Sequence, residues 1–235
     1  MEGLKEINKS LSEAIRNSDL QGISVEIAET LVDSMLDDGI LKNLPFVGSI
    51  VAIGKTAISI KDQIFLKKII FFLSGIRHVS IAKRRKMIDF VNDSKEQKTK
   101  VGEKLIYILD KCDDYISAKY IAQFFCAFLD EKINYYEFLK GSRIIQNIFI
   151  EDLEYFLEKD ASQFQRHASS AEAPDEDEFP LINVGILGFG YNTISVEDHR
   201  DYEISGDYLV KGGEAVIWIT SIGNKLKKTL KKEKI

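Results

Sequence analysis

Proline is scarce in this chain: its 235 residues hold three, Pro45, Pro174 and Pro180. A proline inside a helix removes an N–H and clashes with the preceding turn, so its scarcity permits long helices almost everywhere. Cysteine is scarcer still, with Cys112 and Cys126 in neither a Cys-x-x-Cys spacing nor the company of paired histidines. That excludes a disulfide-stapled secreted scaffold and a zinc site legible from spacing, and it fits a reducing compartment. His78, His167 and His199 are too widely scattered to spell a triad or a metal cluster. Charge of one sign is also missing, because 32 Lys and Arg face 37 Asp and Glu for a formal net charge of -5. No whole-chain electrostatic clamp on nucleic acid or an anionic membrane arises from that balance, and any basic surface is local. The stretch Met1 to Glu6 lacks the apolar core of a signal peptide. The expected location is the cytoplasm, with peripheral membrane association as the variant to consider.

A hydrophobic content of 45% supplies an ample core. Apolar residues recur at three- and four-residue steps in Leu4, Ile7, Leu11 and Ile15, then in Ile27, Leu31 and Met35, which predicts amphipathic helices broken near Gly22. A long glycine-spaced apolar segment runs from Pro45 to Ile76, as one helix or two, with Lys67 and Lys68 interrupting its second block. The charged stretch from His78 to Gly102 predicts a short helix with Met87, Ile88, Phe90 and Val91 inward. Four helical patterns come next between Val101 and Phe164, punctuated near Asp113-Asp114, near Lys132 to Asn134 and near Gly141-Ser142. Their aromatics, including Tyr107, Tyr120, Phe124, Phe125, Phe128, Tyr135, Tyr136 and Phe138, read as core packing.

Residues His167 to Pro180 have the small, acidic composition of a solvated linker. From Leu181 onward, short apolar runs alternate with Gly, Asn and Asp, predicting a short helix and strands, and Ser221 to Leu230 reads as a basic amphipathic helix. The expected fold is mainly α: a helical bundle, 1–165, built around a long central apolar helix, an acidic linker, 166–180, and a small α/β module, 181–235.

Several motif lookalikes fail on spacing. Gly54-Lys55-Thr56 ends like a phosphate loop, but Ser49 stands where the first glycine belongs and Ile50 to Ile53 is β-branched and apolar. Asp130 to Phe138 resembles half of a calcium-binding loop, yet counting back from Glu137 puts Cys126 and Phe128 at ligand positions and Glu131 at the glycine position. A turn between packed helices accounts for these residues. Gly185 to Gly190 has its glycines in the wrong order for a dinucleotide loop and reads as the turn-rich end of a short helix. No catalytic, metal or cofactor residue is assigned, and no small-molecule substrate is evident.

Two features remain. On a helix, Gly48, Ala52, Thr56 and Ser59 fall within an arc of about 80°, a small-residue face that lets helix backbones approach closely in a core or in lipid. The run from Leu44 to Ile60 carries one charge, Lys55, near the lower length limit for spanning a bilayer. Flanking charges and the lack of a second clean span favour a buried helix over an inserted one. The second feature is the basic end: Lys225, Lys227, Lys228, Lys231 and Lys232 are candidate nucleic-acid contacts.

The run Ile217 to Leu226, with Thr220, Gly223 and Leu226 in a Thr-x-x-Gly-x-x-Leu rhythm, resembles the closing part of a winged-helix domain over about the last 55 residues. Asp37 to Lys42 leading into Pro45-x-Val47-Gly48, Phe65 to Lys68, Val101-Gly102-Glu103 and Tyr135-x-x-Phe138 together resemble a group of bacterial helical proteins without an established activity. That resemblance covers roughly residues 30 to 160. It implies a bacterial or phage origin and no functional residues. The expected function is a non-enzymatic effector or interaction protein, in stress or phage defence, whose apolar helix is exposed on triggering to a membrane or a protein partner, self-association included. The alternative is a nucleic-acid-binding regulator using the winged-helix-like end.

Overall fold

A computed structural model describes residues 2–23, 60–94, 100–167, 174–198 and 208–232. Among these the chain is mainly helical, with nine α-helices and two small antiparallel sheets. It divides into two compact units, one of Met1–Gln146 and the other of Asn147–Lys232. The division falls earlier than residue 165, so the last helix before the acidic stretch belongs with the strands.

The first unit comprises α1 (Glu2–Asn17), α2 (Ile60–Ile76), α3 (Ile81–Asn92), α4 (Val101–Asp110), α5 (Tyr115–Leu129) and α6 (Tyr135–Asn147). Local chemistry sets several starts. The Asp114 carboxylate accepts from Ser117 N–H at 2.7 Å to open α5, and Asn134 and Glu137 cap α6 reciprocally at 2.9 and 3.0 Å. Helix α2 packs most extensively on α5, with Leu66, Ile69, Ile70, Phe72, Leu73 and Ile76 at most 1% exposed. A Cβ on Gly75 would lie 2.5 Å from the Ala122 Cβ, so this crossing depends on the missing side chain. Phe72, Phe124, Phe125, Phe128, Tyr135 and Phe138 form a continuous ring cluster with centroids 5.1 to 6.4 Å apart.

Among the described residues Arg84 is the largest fully buried side chain. Its guanidinium donates to the carbonyls of Ile15 and Ser18, acceptors left over at the end of α1, to the Ala14 carbonyl, which also accepts from Ser18 N–H at 3.1 Å, and to the Val79 carbonyl. Burial pulls its pKa below the ordinary arginine value.

Three expectations fail in this unit. Phe90 is 74% exposed, because Arg84, Met87, Ile88 and Val91 form the inward arc of α3 and Phe90 lies outside it. Gly141-Ser142 does not break the chain: α6 runs through it, and Gly141 instead makes room for the Phe124 ring, which a Cβ would meet at 2.1 Å. Tyr107 and Tyr136 are exposed, unlike the other aromatics read as core.

The second unit contains α7 (Ile150–Glu158), a 3-10 turn (Ala161–Phe164), β1 (Arg166–His167), α8 (Phe179–Asn183), β2 (Leu187–Tyr191), β3 (Ser195–Asp198), β4 (Tyr208–Lys211), β5 (Ala215–Ile219) and α9 (Ser221–Thr229). Strand order is β1-β5-β2, with β3 paired to β4. Both ladders keep one register, from Leu187 opposite Ile219 to Asp198 opposite Tyr208, so β2-β3 and β4-β5 are the two arms of one long hairpin. Between the ladders, Asn192 N–H donates to the Glu214 carbonyl at 3.0 Å, and Gly212 and Gly213 take φ of 94° and 81°. Gly188 and Gly190 lie in β2 rather than in a helix end, beneath the Trp218 ring of β5. Within the expected acidic linker, Glu178 is only 3% exposed and accepts from Asp175 N–H at 2.9 Å.

The Thr-x-x-Gly rhythm has a physical basis. Thr220 Oγ1 accepts from Gly223 N–H at 3.1 Å, capping α9, and its hydroxyl lies 2.8 and 3.0 Å from the Gly185 and Ile186 carbonyls. Gly223 lets α9 approach the strand start, since a Cβ there would meet the Ile186 carbonyl oxygen at 2.3 Å.

Candidate functional site

The small-residue face of Gly48, Ala52, Thr56 and Ser59 lies outside the described residues. Directly after it in the chain comes α2, whose two ends differ. Ile60 and Ile64, one turn apart, are 75% and 49% exposed, whereas the later apolar positions are buried. At 100° per residue Ile60, Ile64, Lys67 and Phe71 share an arc of about 60°, so they form one stripe down the helix. Among the described residues no helix is long and apolar enough to cross a membrane.

At the buried end of this stripe, Phe71 stacks on Tyr115 of α5 with ring centroids 4.5 Å apart. Two ammonium groups crowd the pair. Lys67 Nζ is 4.2 Å from the Tyr115 centroid and 5.7 Å from that of Phe71, while Lys119 Nζ is 4.9 Å from Phe71 and 5.7 Å from Tyr115. Both are within cation–π range. Among the described residues neither lysine is ion-paired. The adjacent Lys68 turns inward instead, 7% exposed, and donates to the Cys112 carbonyl. In the sequence Lys67 reads only as an interruption, and Tyr115 and Lys119 escape notice. The available signal is spacing: Lys67–Phe71 and Tyr115–Lys119 are both i, i+4 pairs, which share a helix face.

The basic end is used differently. Lys227 donates to the Phe156 carbonyl and sits 4.5 Å from the Phe156 centroid and 5.7 Å from that of Phe164, and burial lowers its pKa. Lys232 bridges Glu158 at 2.5 Å and Glu154 at 3.4 Å. Lys225 and Lys231 also have interactions of their own, and Lys228 is exposed on α9. Of the five candidate lysines, Lys227 and Lys232 thus have partners inside the unit, while Lys228, Lys231 and Lys232 are exposed.

A concavity of about 540 Å³ opens between α1, α3 and the start of α4, with Lys9, Glu13, Arg16, Asp89, Asp93 and Lys100 on its walls. Its dominant feature is internal: Arg16 grips Asp89 through two bonds of 2.7 and 2.8 Å, which hold the Asp89 carboxyl below its usual range. The pair fastens α1 to α3. Both thiols are buried and pushed up to about 12 by desolvation, so neither is a nucleophile at neutral pH. Among the described residues no group of His, Cys, Asp or Glu is placed to hold a metal ion.

Comparison with protein-family models, with curated proteins and with solved structures finds no match for the chain.

Proposed function

We propose that this is a non-enzymatic interaction protein that docks through the exposed start of α2 and the apolar run leading into it. The observation that carries the reading is the contrast within α2. Its second half is pinned in the helical unit, with positions such as Ile69 and Leu73 at 0% exposure, while Ile60 and Ile64 stand out in solvent on one face. Exposed apolar side chains that continue a run of apolar sequence are what a docking surface requires. On this reading α2 is anchored at its far end and open to a partner at its start.

Thiol labelling tests it, because Cys112 and Cys126 are both buried. An Ile64→Cys variant is expected to react quickly with a maleimide when purified and slowly inside the cells that make it. A Tyr136→Cys variant, at another exposed site, is expected to react alike in both. Equal labelling of Ile64→Cys in the two settings would contradict a docked end.

A second reading, a winged-helix nucleic-acid binder, is supported by the strand order β1-β5-β2, the long hairpin and the Thr220–Gly223 cap. The internal engagement of Lys227 and Lys232 counts against it. A salt-dependent shift of duplex DNA, lost on deleting residues 224–235, is the outcome it requires.

A further inference from the structure

We infer that the occupant of the docking end is an anionic phospholipid surface. This rests on the reading of the α2 start as a docking end and names its partner.

Chemistry is ordered along one stripe of α2. Ile60 and Ile64 come first and are exposed; Lys67 is one turn further in, and Phe71 lies buried beneath Tyr115. With a rise of 1.5 Å per residue, Lys67 sits about 10 Å down the helix from Ile60. An interfacial segment buries its apolar side chains about 5–10 Å into the headgroup and acyl boundary, with lysines at the level of the phosphates. On α2 the exposed isoleucines and the lysine follow one another on a single face, the apolar pair toward the open end and the cation behind it.

Charge points the same way. Lys119 of α5 brings a second ammonium to the same ring pair, 4.9 Å from the Phe71 centroid. Two cations are thus held beside one aromatic pair, without a carboxylate partner among the described residues. The nearby Asp114 carboxylate is turned to the Ser117 N–H as the cap of α5. Ring faces attract both ammoniums but neutralise neither charge. A layer of phosphates supplies the counter-charge, and the adjoining isoleucines enter the acyl boundary. A neutral apolar partner would satisfy the isoleucines and strand the lysines; a soluble anion would do the reverse.

The test is flotation of the full chain with vesicles of phosphatidylcholine alone or of an equimolar mixture with phosphatidylglycerol. The wild type is expected to float with the mixed vesicles, less so as salt rises, and to stay behind with phosphatidylcholine. At roughly fivefold per lysine, Lys67→Gln with Lys119→Gln is expected to lower partitioning roughly thirtyfold. Lys67→Arg with Lys119→Arg keeps the charge and is expected to retain binding, which separates loss of charge from loss of packing; unchanged melting curves check the fold. Equal flotation with both vesicle types, or full binding by the double glutamine variant, would overturn the lipid assignment while leaving a docking end intact. Absence of flotation with either vesicle would overturn it too, and the Ile64→Cys labelling then decides the docking end independently.

Discussion

Lysines beside paired aromatic rings occur in both units, and their partners differ. In the helical unit, Lys67 and Lys119 share Phe71 and Tyr115. In the hairpin unit, Lys227 lies over Phe156 and Phe164, yet its ammonium is committed to the Phe156 carbonyl, and Lys232 is committed to Glu154 and Glu158. Within the denser run of lysines, Lys227 and Lys232 are thus tied to partners of their own unit, which their spacing in sequence does not reveal. A count of charges along a chain says little about which of them face outward, because a lysine stem covers apolar surface wherever its head finds an acceptor.

The two units also differ in what holds them, and substitutions separate them. The largest effect is expected from Arg84→Met, which takes the guanidinium donors away from the Ile15 and Ser18 carbonyls at the end of α1 and from the Val79 carbonyl. It should cost the helical unit about 3 kcal/mol and leave the hairpin unit untouched. Chemical denaturation followed by Trp218 fluorescence, which reports the hairpin unit alone, against far-UV circular dichroism checks this. Next comes Gly223→Ala, whose methyl meets the Ile186 carbonyl. A loss of about 2 kcal/mol is expected in the hairpin unit, visible in the Trp218 transition. If either substitution moves both transitions equally, the units are not independent.

Smaller effects sharpen the contrast. Ser142 Oγ is buried without a hydrogen-bond partner, so Ser142→Ala is expected to raise the stability of the helical unit, by up to about 1 kcal/mol, in the same denaturation experiment. Lys227 gives the smallest change at neutral pH. Burial sets its folded pKa below the ordinary lysine value, so the charged form weighs against folding. That penalty fades as pH rises through the lowered folded pKa toward the unfolded one, and the hairpin unit gains stability there. Lys227→Met keeps the stem on the rings and is expected to stay within about 1 kcal/mol of wild type at neutral pH. The alkaline gain should vanish with it, as melting temperatures across alkaline pH would reveal.

Local signals are legible in the sequence and contacts distant along the chain are not. Asp114, the Asn134–Glu137 pair and the Thr220–Gly223 cap are recoverable from spacing, because a cap is decided within four residues. The helical content and the breaks near Asp113 and Lys132 emerge from periodicity for the same reason. Gly141 reads as punctuation because the Phe124 ring that needs its space belongs to another helix. Phe90 reads as inward on hydrophobicity, although the buried arc of α3 is centred on Arg84, whose partners at the end of α1 stand some 70 residues away. The lysines at 67 and 119 converge only through the stacking of α2 on α5.

The most direct test sets the two lysine clusters against each other on one membrane. Flotation with equimolar phosphatidylcholine and phosphatidylglycerol vesicles should fall roughly thirtyfold for Lys67→Gln with Lys119→Gln. The same pair of substitutions at Lys227 and Lys232 should leave it unchanged. Loss of binding at the second pair with retention at the first would contradict the account.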